Sequence, residues 1–149
     1  MNELMLETRP APWSFEQLQV ADAMHAGVVT CPLETPLREV ARIMATYRIH
    51  AVVAFGDDPA EIPGPALWGV ISDLDLVRSA NAPDFETRTA GEIAATPLLM
   101  VPADETLARA AQLMSEHETT HLVVADRRSG RPIGVLSTLD VARALAGFP

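Results

Sequence analysis

Two short stretches of this chain carry a hydroxyl and a carboxylate at a spacing that suits sugar and phosphate chemistry: Ser72-Asp73-Leu74-Asp75 and Ser137-Thr138-Leu139-Asp140. Each follows an apolar run, Gly69-Val70-Ile71 or Gly134-Val135-Leu136, so each Ser is expected where a strand ends and a helix begins. A Ser at such a place is an N-cap, and the amides beside it attract an anion such as phosphate. Asp75 and Asp140 fall in the first helical turn, where two acceptor oxygens suit the paired hydroxyls of a ribose. The same spacing also reads as a capping box, with Asp in place of the usual Glu or Gln, that stabilises a helix start with no ligand. Arg78 and Arg143 occupy matching places in the two helices. They either contact phosphate or simply favour the C-terminal half of a helix.

Other chemistry fares less well. His117-Glu118-Thr119-Thr120-His121 matches the His-Glu-x-x-His zinc-protease pattern. That pattern needs both imidazoles on one face of a continuous helix and a third ligand. Here two β-branched threonines between the histidines predict a helix-to-strand break. His25 and His50 are isolated and read as surface or capping residues. Cys31 sits in an apolar run, Val28-Val29-Thr30-Cys31, and reads as a small buried residue without nucleophilic character. The chain shows neither a Gly-x-x-x-x-Gly-Lys-Ser/Thr phosphate loop nor a Gly-x-Ser-x-Gly elbow. No nucleophile, base and oxyanion site assemble, so an enzyme is not expected and no catalytic residue or resident metal is assigned.

The elements that must position the two junctions are duplicated. At an offset of 70 residues, Asp22-Ala23-Met24 falls on Glu92-Ile93-Ala94, Pro32 on Pro102, and Leu37, Ala41 and Met44 on Leu107, Ala111 and Met114. Val52-Val53 falls on Leu122-Val123. From Gly69 the offset is 65, and six of the ten positions Gly69–Arg78 are identical to Gly134–Arg143. The five extra residues of the first copy lie in Asp57–Pro65, whose Pro, Gly and acidic content predicts a solvated loop.

Each copy reads as strand, helix, strand, strand, helix. Val28–Cys31 and Leu98–Val101 are short apolar runs stopped by proline. Pro36–Tyr47 and Thr106–His117 have helical spacing, with Thr35 the expected N-cap of the first and Asp104 or Glu105 preceding the second. Ala51–Phe55 with Trp68–Ile71, and His121–Ala125 with Ile133–Leu136, are expected hairpins. Asp73–Ala80 and Thr138–Ala146 close the copies as helices. The expected division is an arm at 1–19, a first unit at 20–80, a linker at 81–89, a second unit at 90–146 and a tail at 147–149. The fold class is α/β (α+β): two pseudo-symmetric β-α-β-β-α units, each too small to bury much alone, packed through their sheets with clefts between them. Trp13 and Phe15 suggest that the arm packs on something.

Val20-Ala21-Asp22-Ala23-Met24, the Leu-x-x-x-Ala-x-x-Met helix of each copy and the Gly-Val-(Ile/Leu)-Ser-x-x-Asp ending resemble the CBS (cystathionine-β-synthase) domain family, arranged as a Bateman-type pair. The likeness covers residues 20–146. No motif is specific alone; the ordered set occurring twice is. The resemblance implies a regulatory module that binds AMP, ADP, ATP or S-adenosylmethionine in the clefts, pairs into a homodimer and signals to a partner protein. It makes Ser72, Asp75, Ser137 and Asp140, with Thr138, the phosphate and ribose contacts. An adenine would then lie in an apolar slot, walled by Val28, Val29, Thr30, Ala51 and Val52 in the first copy and by Leu98, Leu99, Met100, His121 and Leu122 in the second.

The copies differ. Asp73 beside Ser72 should repel phosphate where Thr138 would not. Arg127, Arg128 and Arg131 stand in the second hairpin where the first has Asp57, Asp58 and Glu61, so the second cleft is the expected home of a phosphorylated ligand. The alternative is a ligand-free structural or dimerisation module with its clefts filled by side chains.

Bulk properties agree. A net charge of −9 repels nucleic-acid backbones and anionic membranes. The 48% hydrophobic fraction suffices for a core. One cysteine permits no internal disulfide, no apolar run is long enough for a membrane span, and Met1–Phe15 lacks the make-up of a signal peptide, so a cytoplasmic location is expected.

Overall fold

The computed structural model describes residues 14–57, 65–94 and 98–147. Along the chain run α1 (Val20–Ala23), β1 (His25–Ala26), β2 (Thr30–Pro32), α2 (Leu37–Tyr47), β3 (Ala51–Asp57), β4 (Pro65–Ser72) and α3 (Asp73–Ser79). Then follow α4 (Ala90–Ile93), β5 (Met100–Pro102), α5 (Leu107–Glu116), β6 (His121–Ala125), β7 (Pro132–Ser137) and α6 (Thr138–Leu145). The expected β-α-β-β-α order stands in both copies. Most of the loop inferred at Asp57–Pro65, and Trp13 of the arm, lie outside the described residues.

In the first copy β2 pairs parallel with β3, and β3 antiparallel with β4. The second repeats this with β5, β6 and β7. Pro32 and Pro102 were expected to stop β2 and β5. They belong to them instead, opposite Phe55 and Ala125. Both are edge strands of their sheets, where a residue without an N–H leaves no ladder bond unmade. Val28-Val29 and Leu98-Leu99 precede the strands.

Helix starts also differ from expectation. The N-cap of α2 is Pro36, in extended conformation and without a side-chain cap, rather than Thr35. The N-cap of α5 is Thr106, whose hydroxyl accepts from the Arg109 amide at 3.1 Å. Buried Leu37, Val40 and Met44 form one face of α2, and Leu107, Ala110 and Met114 the same face of α5. Just past these helices Arg48 (φ 54°) and Glu118 (φ 50°), related by the repeat, take the left-handed conformation that turns the chain into β3 and β6.

The copies are not closed units. The backbone of α1 bonds to the second copy, with Val20 N–H to Glu105 O and Ala21 N–H to Ala103 O, each 2.9 Å. Leu18 and Val20 are buried among Val101, Leu107, Leu122, Val124 and Leu136, and Phe15 packs against the same cluster. Reciprocally, Ala90 and Gly91 of α4 donate to Thr35 O and Leu33 O at 2.8 Å, and Ala90 is buried among Cys31, Val40, Val52 and Ile71. Each core is completed by the short helix that leads the other copy. A third cluster, Val53, Val70 and Val123 with Val28, Ala51 and Leu98, joins the sheets.

Candidate functional site

Both Ser-x-x-Asp stretches fold as strand-to-helix junctions of the same geometry. Ser72 Oγ accepts from the Asp75 amide at 3.2 Å, while Asp75 Oδ2 accepts from the Ser72 amide at 2.8 Å. Ser137 and Asp140 repeat both bonds at 3.2 and 2.8 Å. Each junction is therefore a reciprocal capping box, and one carboxylate oxygen of each Asp is spent on it. Strand pairing sets Ala51 opposite Ser72 and His121 opposite Ser137, and the amides of Asp73 and Thr138 donate to His50 O and Thr120 O at 3.0 Å.

His121, opposite Ser137 of the second junction, is 9% exposed. Burial holds its imidazole below the ordinary histidine range. The carboxylates of Asp73, Asp140 and Asp75 act on the ring in the opposite sense, and His50 adds to the lowering. Carboxylates from both copies thus share one electrostatic neighbourhood at the end of the sheet interface. His121 Nδ1 lies 2.8 Å from Thr120 Oγ1.

This burial has a pH consequence. The folded protein holds the ring neutral, whereas the unfolded chain protonates it below about pH 6.5. The contribution of His121 to stability is complete above that value and is lost as pH falls toward the depressed folded value, at no more than about 1.4 kcal/mol per pH unit. Urea unfolding at about pH 7.5 and about pH 5.5 should show a smaller acid loss in His121→Ala than in the parent. An equal loss in both proteins would contradict this.

The expected adenine walls divide by strand alternation. Ala51, Val28 and Leu98 lie at the interface between the sheets, together with Val53 and Val123, which sequence reading did not name as walls. Val52 and Leu122 point the other way and are fully buried in the separate cores, so they cannot line a slot between the copies. Leu99 packs on the second core rather than between the sheets. Val29 O accepts from Val53 N–H at 2.9 Å, Thr30 is exposed, and Met100 is 40% exposed.

The arginines do not gather at the second junction. Arg127, Arg128 and Arg131 occupy the β6–β7 turn, at the opposite end of those strands from Ser137, and Arg127 pairs with Asp104 at 2.8 Å. The length of β6 separates them from Asp140, which removes one of the two reasons for favouring the second cleft for a phosphate. Arg78 and Arg143 are exposed in the last turns of α3 and α6.

Two histidines expected to be isolated are engaged at the junctions. His50 Nδ1 donates to Asp73 Oδ2 at 2.9 Å, so the carboxylate expected to repel phosphate has a basic neighbour. His25 Nδ1 stands 3.0 Å from Asp140 Oδ1. It is carried there by β1, which adds to the free edge of β7 with His25 opposite Val135 and Ala26 opposite Gly134. Gly134 permits this approach, since a Cβ there would lie 2.5 Å from His25 O. The pairing crosses from one copy to the other, so no local signal in the sequence marks it.

The zinc-protease pattern is broken as expected: α5 ends before His117, Glu118 is left-handed, and His121 begins β6. Among the described residues no three His, Cys, Asp or Glu side chains converge as a metal site. Cys31 is buried, and desolvation raises its thiol pKa against the lowering effect of a Thr35 hydrogen bond.

The model of the family described as "CBS domain" matches twice, over residues 20–81 and 90–147. Hypoxic response protein 1 of Mycobacterium tuberculosis is 30% identical over 126 residues, covering 83% of this chain and 82% of that protein. A crystal structure of hypoxic response protein I with two coordinated zinc ions is 28% identical, with TM-score 0.63, covering 85% of this chain and 98% of that one. A CBS domain pair in complex with 5′-methylthioadenosine and S-adenosyl-L-methionine superposes with TM-score 0.71 at 21% identity, covering 87% of this chain and 97% of that one. The CBS domain of a bacterial CNNM/CorC family Mg2+ transporter in complex with ATP gives 0.70 at 19% identity, covering 91% and 92%.

Proposed function

The chain belongs to the CBS domain family, as a tandem pair, and from that premise we propose that it is a regulatory module that binds an adenosine-containing ligand between its copies and passes the event to a partner protein. What supports this reading is that each copy carries a Ser-x-x-Asp junction of the same geometry, and that the carboxylates of both act electrostatically on buried His121. A carboxylate there can accept from ribose hydroxyls, and the apolar residues beside it can cover a base. Structural relatives hold ATP, S-adenosyl-L-methionine and 5′-methylthioadenosine, and AMP, ADP, ATP or S-adenosylmethionine are the proposed ligands here. The ligand is regulatory, so its effect depends on a difference in affinity between two arrangements of the module. The reading makes the chain a non-enzyme and gives nucleic acid and membranes no part as partners. No helix of the described residues is long and apolar enough to cross a membrane, and the lone free thiol of Cys31 suits a reducing cytoplasm.

Isothermal titration with AMP, ADP, ATP and S-adenosylmethionine in turn tests this. Saturable heat with at least one is expected; none with all four supports the rival reading, a structural module. One observation favours that rival: both junctions are complete capping boxes without a ligand.

The module is further proposed to act as a homodimer. Leu74 and Val77 on α3 and Leu139 and Leu145 on α6 are 42%, 67%, 59% and 64% exposed, so each of these helices turns two large apolar side chains toward solvent. A second copy presenting the same helices would cover them symmetrically. Val77→Glu with Leu139→Glu should convert the dimer to a monomer by light scattering without lowering the melting temperature by more than a few degrees. A monomeric parent protein, or a variant that remains dimeric, would refute this interface.

A further inference from the structure

The two junctions share a capping geometry but not an accessibility. Asp140 is 3% exposed, and both of its oxygens face protein groups: Oδ2 takes the Ser137 amide, and Oδ1 has His25 Nδ1 at 3.0 Å. Asp75 is half-buried, and only its Oδ2 is engaged among the described residues. In the repeat, position 25 corresponds to Ala95, which carries no side-chain donor. The imidazole that meets Asp140 therefore has no counterpart in sequence for Asp75.

We propose that His25 occupies the ligand-facing oxygen of Asp140, so that the ligand-free chain offers one ready ribose acceptor, at Asp75, and holds the second in reserve until β1 or the His25 side chain moves away. This rests on the adenosine-binding reading and adds its regulation. The occluding group is 70% exposed on its own side chain while the carboxylate it covers is 2% exposed. A cap of that kind can leave at small cost to the core. It is carried on a two-residue edge strand whose residues are both exposed. Its seat depends on Gly134, the position at which any side chain would collide with the His25 backbone. His25 follows α1, which completes the second core, after one residue, so motion of β1 would be felt where the copies exchange their short helices.

The test is titration of the full chain and of His25→Ala with S-adenosylmethionine and with AMP. The parent should show one tighter and one weaker class of site. His25→Ala should tighten the weaker class by about 2–5-fold and leave the tighter class unchanged, a range appropriate to a partly exposed side-chain contact. Adding Asp140→Ala to His25→Ala should abolish the gain, whereas Asp75→Ala should remove the tighter class. Because Asp140→Ala also removes a cap, Asp140→Asn is measured beside it. A weaker class that is unchanged or weakened in His25→Ala overturns the inference and leaves ligand binding itself intact; so does a parent with two equal sites. Absence of heat from both ligands with both proteins overturns the adenosine reading together with this one.

Discussion

Replacing Asp75 by alanine is expected to weaken binding of the adenosine ligand by about 10–100-fold. A hydrogen bond to a charged group contributes about 1.5–3 kcal/mol, and of the two first-turn carboxylates Asp75 is the one with an oxygen left open by the described protein groups. The same change removes a capping interaction, since Asp75 Oδ2 holds the Ser72 amide, and loss of a cap costs about 0.5–2 kcal/mol of stability. The two effects separate in Asp75→Asn, which keeps an acceptor oxygen for the amide but loses the charge. Asp75→Asn should melt close to the parent and still bind several-fold more weakly. A titration in which Asp75→Ala and Asp75→Asn both retain parental affinity would remove the ribose from this carboxylate.

The largest effect on stability is expected at a residue that sequence order assigns to the wrong half. Val20 opens the first copy but is fully buried in the core of the second, among Val101, Leu107, Leu122 and Leu136. A carboxylate placed there has no partner and no water. An uncompensated buried charge costs about 3–5 kcal/mol, a large share of the stability of a domain this size. In Val20→Asp, hydrogen exchange should speed up first in α5, β6 and β7, while α2, β3 and β4 retain protection longer. Loss confined to the first copy would contradict the exchange of short helices. Equal loss throughout would instead mean that the two copies unfold as a single unit.

The fold was largely legible because it is written twice. The paired spacing of Leu37 with Leu107 and Met44 with Met114 marks the helices, and the repeated Gly-Val-x-Ser-x-x-Asp marks the junctions at the residues where the structure has them. What repetition cannot reveal is which copy a segment packs against. The helices α1 and α4 are four residues each, too short for a periodic signal, and their partners lie far along the chain. Val52 and Leu122 illustrate a second limit. An unbroken apolar run such as Val52-Val53-Ala54 does not disclose which face is which, so a wall residue and a core residue exchange places with a shift of one. Arg127 illustrates a third: a hairpin turn reads as close to its flanking junction in sequence, whereas the length of the strand carries it to the far end of the sheet, where Asp104 takes its charge. His25 was illegible for the same reason as α1, since its partner comes from strand pairing between copies.

A crystal structure of the protein grown with S-adenosylmethionine or AMP would locate the nucleoside and its ribose contacts. Density for the nucleoside is expected between the copies beside His121, with ribose hydroxyls within hydrogen-bond distance of Asp75 Oδ1. Ligand bound elsewhere, or crystals at saturating concentration in which Asp75 still contacts only the Ser72 amide, would contradict this placement.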